Sequence, residues 1–275
     1  MECTYNIQPA TGRFVRREHC AIDAGLLSDI GRAVGHQIRI RRSAEEFALY
    51  TVTAALQNSD GAAIRMSPAG LRRLGARSAC AASVEPFAAH PTMDDQAARA
   101  AGEFVERTDD RTGDLLFLAP HGGEMERFTA EQAAHAAALL GASSWRCLGW
   151  RPGGSASARW HITSTDLHEA SFPGLASLAR RRFRLAVSFH GYSRERFLVG
   201  GLGPRELRER IRAAVERAGG LPADLAEIGE EAGGSRPRNI VNRLAPGGGI
   251  QIEQPREARM TRWREIAAAV AAVLR

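Results

Sequence analysis

Three short stretches of this chain are apolar and stop at polar groups. Leu115–Ala119 runs into Pro-His-Gly-Gly, Arg184–Phe189 into His190-Gly191, and Ile250–Ile252 into Glu253. Short apolar-rich runs of this kind predict strands that deliver polar groups to one edge of a sheet. Further strands are expected at Ser144–Trp150, Trp160–Thr163 and Arg196–Val199. Helical periods fall between them. Thr129-Ala-Glu-Gln132 reads as a capping box opening a helix to Leu140, stopped by Gly141. Pro173–Arg182 and Pro222–Glu231 predict two more. Pro204–Ala218 carries Leu207, Ile211 and Val215 at steps of four, and Arg256–Leu274 places Trp263, Ile266, Val270 and Leu274 on one face. Alternating strands and helices predict an α/β fold with a sheet flanked by helices.

The pattern changes before residue 90. Gln37–Arg42 alternates with period two and predicts a strand with one wet face. Phe47–Val52 and Ala62–Met66 predict two more strands. Residues 23–34 predict a helix, and Ser67-Pro68 opens a second as N-cap and first helical residue, closing at Gly75. Residues 1–85 are therefore read as a small α+β or barrel-like module. Residues 76–91 lack a strong period and carry two prolines, which places the boundary there. Asp94–Arg107 is read as the helix that begins the second part, residues 90–275.

Composition narrows the class. At 275 residues, 44% hydrophobic and 25% charged, the chain suits a folded protein of one large or two modest domains. No apolar window spans a membrane, and the N-terminus has no apolar signal segment, so a cytoplasmic location is the default expectation. The four scattered cysteines predict reduced thiols. The net charge is +6, and all 37 basic residues are arginine. In the N-terminal module Arg39, Arg41, Arg42, Arg65, Arg72 and Arg73 either solvate a surface or form a nucleic-acid face. A non-enzymatic nucleic-acid-binding protein is thus one function class to test.

The chemistry gathers at the strand ends. His121 and His190 both follow an apolar strand and precede glycine, so both can reach one sheet edge. Glu126 follows His121 by five residues, which requires a loop rather than a helix face. Together they form a candidate His-Glu-His zinc site with one position left for water. Glu253, ending a buried strand, is a candidate general base for a metal-activated water. Arg243 is either a carboxylate or oxyanion ligand or a structural ion pair. His161 is either substrate-facing, a support to the metal ligands, or structural.

These residues occur in an ordered set: Ala119-Pro-His-Gly-Gly-Glu-Met-Glu126, His161-Ile-Thr-Ser164, Ser188-Phe-His-Gly191, Asn242-Arg243 and Gly248-Gly-Ile-Gln-Ile-Glu253. Over about residues 90–275 this order resembles the poly-γ-glutamate hydrolase family, phage and bacterial enzymes with a zinc carboxypeptidase-like fold. The resemblance implies one Zn²⁺ held by His121, Glu126 and His190, with Glu253 as base. It further implies substrate binding near Arg243, with Asn242 and His161, and an anionic γ-glutamyl polymer or peptide as substrate. Another acyl-amide substrate, cleaved by the same chemistry, is the alternative. Two departures stand out: Glu124 where the family more often has glycine, adding a carboxylate beside the metal, and residues 1–85, which have no counterpart in the minimal phage enzymes.

Overall fold

The structure is a computed structural model that describes residues 4–10, 14, 16–57 and 63–275. Its first strands are β1 (Tyr5–Pro9), β2 (His19–Asp23), β3 (Gln37–Arg41), β4 (Phe47–Leu56), β5 (Ile64–Met66) and β6 (Cys80–Glu85). They close into a barrel in the order β1-β5-β2-β4-β3-β6. Closure leaves no edge strand. Helices α1 (Ala24–Asp29) and α2 (Pro68–Arg73) add Leu26, Leu27 and Leu71 to its apolar core. Ser67 caps α2 as the sequence predicts, its hydroxyl accepting from Gly70 N. The other N-terminal expectations shift. The first helix is half the predicted length, and the segment read as a linker carries β6, which pairs with both β1 and β3. Ala62 lies outside the described residues.

The expected wet face of β3 is also dry. Arg39 is fully buried, donating to Glu103 Oε2 at 2.6 Å and to the carbonyl oxygens of Ala88 and Phe104. Its guanidinium lies over Phe87 and Trp160. The polar face of this strand therefore meets protein, not water. Phe47 and Leu49 share one apolar cluster with Phe104, Trp160 and Ile162, so the barrel and the second sheet have a common core.

That sheet comprises β7 (Phe104–Asp109), β8 (Leu115–Gly123), β9 (Ser143–Gly149), β10 (Leu185–Tyr192), β11 (Phe197–Gly201), β12 (Ala223–Leu225) and β13 (Gly249–Pro255). Its order is β12-β11-β13-β10-β8-β9-β7, mixed in direction, with β9, β8, β10 and β13 mutually parallel at the centre. Side chains alternate along β8. Phe117 and Ala119 pack under α4 (Thr129–Leu140), α7 (Arg205–Gly219) and α9 (Arg256–Val273). Leu116 and Leu118 join the opposite core, with α5 (Ala156–Trp160), α6 (Pro173–Ala179) and α8 (Ile240–Leu244). This two-sided burial explains the unbroken apolar run Leu115–Ala119.

The chain leaves β8 through α4 to β9 on one side, then returns to β10 on the other. The crevice between the carboxyl ends of β8 and β10 is a topological switch point, where open α/β sheets hold their ligands.

Several predicted elements change. Asp94–Arg107 divides into α3 (Asp95–Ala101) and β7, because Gly102 takes φ +69° and ends the helix. Trp160–Thr163 is not a strand: α5 ends at Trp160 and the His-Ile-Thr-Ser segment is a loop. Pro222–Glu231 holds β12 and turns rather than a helix. Thr129 is the first helical residue of α4, not its cap, and donates its hydroxyl to Glu126 O. Among the described residues no helix is long and apolar enough to cross a membrane.

Candidate metal centre

Strand β8 continues through Pro120 and delivers His121 to the switch point, 3% exposed. The two glycines that follow have no room for a side chain. A Cβ on Gly122 would lie 2.5 Å from Ala130 Cβ, and one on Gly123 (φ +69°) would lie 2.7 Å from Gly149 O. This close passage turns the chain so that Glu126 folds back, its amide N–H donating to His121 O at 2.8 Å.

Glu126 then stands between two imidazoles. Its Oε1 is 3.0 Å from His121 Nδ1, and its Oε2 is 3.5 Å from His190 Nδ1. Gly191 N–H donates to Oε2 at 2.9 Å. The outer nitrogens have other partners. His121 Nε2 pairs with the Ile162 carbonyl at 2.8 Å, and His190 Nε2 with the Ser188 hydroxyl at 2.8 Å. The carbonyl can only accept, so Nε2 of His121 carries a proton and Nδ1 is the ring atom turned toward Glu126.

His161 enters the same cluster from the loop after α5, its ring 4.2 Å from that of His121. His121, Glu126 and His161 offer ligand atoms within 4.8 Å of one another. The His121 and His190 rings lie 5.0 Å apart. Three histidines and one carboxylate thus converge. Tetrahedral bonds of about 2.0–2.1 Å put neighbouring zinc ligands about 3.3 Å apart, so the 3.0 and 3.5 Å spacings around Glu126 suit such an ion.

The electrostatics follow from burial and proximity. Burial opposes the charge on Glu126, yet His121 and His190 hold its carboxyl well below the usual range. Burial would lower the His121 pKa, but Glu126 raises it. His161 is pushed well below the ordinary imidazole value by burial and by the neighbouring His121, so it stays neutral. Glu253, on β13 directly across from His190, is pushed up to about 7 by burial, with Glu126 adding to the rise.

Some contributors carry no motif signal. Gln251 Nε2 donates to Glu253 Oε1 at 2.9 Å, and Asn239 Nδ2 donates to Gln251 Oε1 at 2.8 Å. The period-two spacing of Gln251 and Glu253 on one strand face was the available clue. Arg259 on α9 is buried against Gly191, where a Cβ would lie 2.2 Å from its Cζ, and its charge acts on Glu126 and Glu253. It anchors to Arg127 O at 2.6 Å.

A cleft of about 630 Å³ opens over this cluster, lined by His121, Glu126, His161, His190 and Glu253 and by the loop 229–236. Arg243 is not among its walls. Its guanidinium pairs with Glu169 at 3.2 Å and donates to Leu167 O, the structural alternative of the sequence reading. Asn242 also stays outside, but its Nδ2 donates to Gly234 O at 2.7 Å and Arg236 O at 2.9 Å and so shapes the lining loop. Glu124 pairs with Arg127 at 3.4 Å and lines a separate cavity with Trp150, rather than the cluster.

Comparison with known proteins places this geometry in context. Residues 93–271 match the profile of the poly-gamma-glutamate hydrolase family. The SPbeta prophage-derived protein YoqZ of Bacillus subtilis is 35% identical over 148 residues, 53% of this chain and 50% of the relative. The chain spans about half the length of the curated relatives it matches. A bacteriophage poly-gamma-glutamate hydrolase structure superposes with a TM-score of 0.53 and 26% identity, over 62% of this chain and 87% of that one. The zinc-free, apo structure of YndL shares the fold at a TM-score of 0.50 and 24% identity, over 62% and 89% of the two chains.

Proposed function

Because the chain belongs to the poly-gamma-glutamate hydrolase family, we propose that it is a zinc-dependent amidohydrolase of γ-glutamyl bonds. In this reading residues 90–275 form a carboxypeptidase-like hydrolase domain, and residues 1–85 are a small barrel module packed against it. His121, Glu126 and His190 hold one zinc ion. The observation that carries the reading is the Glu126 carboxylate bracketed by two inward-facing Nδ1 atoms, at 3.0 and 3.5 Å. The zinc-free description of YndL supports the choice of metal.

Zinc held there supplies Lewis acidity toward an amide carbonyl and a water. The chain's own groups do the remaining work. Ser188 and the Ile162 carbonyl fix the ring orientations of His190 and His121. Glu253, poised near neutrality at about 7, accepts a proton from the attacking water and returns it to the leaving amine. Gln251 holds that carboxylate in place. His161, neutral beside His121, faces the substrate from the cleft wall.

The test combines elemental analysis with hydrolysis of γ-linked glutamate oligomers. About one zinc per chain and oligomer cleavage are expected. Glu253→Gln should keep the metal and lose at least a hundredfold in turnover. Full activity in that variant would remove Glu253 as the base. The 4.8 Å cluster favours one second reading, in which His161 replaces His190 as a ligand. Metal content of His190→Ala against His161→Ala separates the two.

A further inference from the structure

We infer that the N-terminal barrel is part of the substrate site and that its Arg16 grips the free α-carboxylate of a γ-linked glutamate. The inference rests on the hydrolase reading above and adds a residue outside the family match, which begins at residue 93.

Arg16 lines the same cleft as His121, His161, His190 and Glu253. It is half-buried, and among the described residues no carboxylate lies within ion-pairing distance of its guanidinium. Asp166, whose carboxyl it helps hold below the usual range, is bonded instead to His19 Nε2 at 2.8 Å. Arg243, the cation that the motif order pointed to, is occupied by Glu169 and Leu167 O. The other arginine on the cleft wall, Arg236, is exposed on the loop 229–236, which also brings Glu230 and Glu231 to the cleft.

The barrel fixes where Arg16 stands. Three residues on, His19 ties β2 to Asp166. Gln37 donates to Asp166 O at 2.7 Å and accepts from His168 N at 3.0 Å. Arg73 donates to His161 O at 2.9 Å. The loop 161–168, which carries His161 and the cleft residues Thr163, Ser164 and Thr165, is therefore clamped to the barrel along its length. A γ-amide linkage leaves one α-carboxylate on every residue of the substrate. A guanidinium held beside the cluster matches that group in charge and in fork geometry.

The experiment measures binding by calorimetry to the full-length, zinc-loaded Glu253→Gln protein. The probes are γ-linked tetraglutamate and the same oligomer with its α-carboxylates converted to amides. Arg16→Gln should raise Kd for the carboxylate oligomer tenfold or more and change Kd for the amide less than twofold. Arg17→Gln, an exposed neighbour with the same charge change, should leave both within twofold. An unchanged Kd in Arg16→Gln, equal weakening of both oligomers, or no binding to the parent protein would each overturn the inference. The hydrolase reading fails separately, through absence of zinc or absence of turnover by protein with Glu253 intact.

Discussion

Glu253 stands directly opposite His190 in the register of the parallel pair β10–β13. Partners in register project to the same face, so a candidate base and a candidate ligand sit on adjacent strands at one sheet edge. Burial raises the Glu253 pKa from 4.5 to about 7. A carboxyl whose folded pKa is raised stabilises the fold below its unfolded pKa, and that stability is lost as pH climbs through the folded value. In chelator-treated protein, parent and Glu253→Gln should therefore match near pH 4.5. At pH 8 the variant should be more stable, by on the order of 3 kcal/mol at most. Denaturant titrations at the two pH values check this, and an unchanged difference between them would refute it.

The Ser188 hydroxyl orients His190 from behind at 2.8 Å. Removing such an outer partner leaves the ligand in place but less fixed. Ser188→Ala is expected to weaken metal affinity by about 10–100-fold with the fold intact. Competition against a chromogenic chelator measures it, and affinity equal to the parent's would show that the strand and the Ser164 hydroxyl hold the ring without Ser188.

Gly123 combines φ +69° with a position where a Cβ would lie only 2.7 Å from Gly149 O. Gly123→Ala meets both the left-handed penalty and overpacking, so it should cost about 2–4 kcal/mol. It should also displace Glu126 and lower metal content. A melting temperature within a degree of the parent's would contradict the close passage of β8 and β9.

Arg39 is buried at the seam between barrel and sheet, paired with Glu103 at 2.6 Å. Arg39→Ala takes the guanidinium from that carboxylate and from the carbonyl oxygens of Ala88 and Phe104, and should destabilise by about 3–5 kcal/mol. Arg184→Ala, removing an exposed pair with Asp114, should cost under about 1 kcal/mol. Equal small effects would mean that the seam is wet.

The strands β8, β10 and β13 and the convergence of their end residues were legible, because continuous apolar runs and the glycines after each histidine are local signals. The buried core of the sheet and the long helices α7 and α9 were legible for the same reason. Trp160–Thr163 has the pattern of a strand in the sequence but is a helix end and a loop, since Trp160 and Ile162 serve a shared core rather than a sheet. Arg243 and Arg16 show the deeper limit. Both are arginines in polar segments, and nothing local distinguishes them. Which one pairs with a nearby acid and which one faces the cleft depends on contacts between segments far apart in the sequence. The sequence by itself determined the residue types, the strand ends and the sharp glycine turn that chemistry requires. Only the tertiary structure decided that the barrel shares the sheet's core, that Arg39 is buried rather than solvated, and that His161 joins the cluster. The reason is that burial and pairing are properties of surfaces brought together, while periodicity records only which face of each element is apolar.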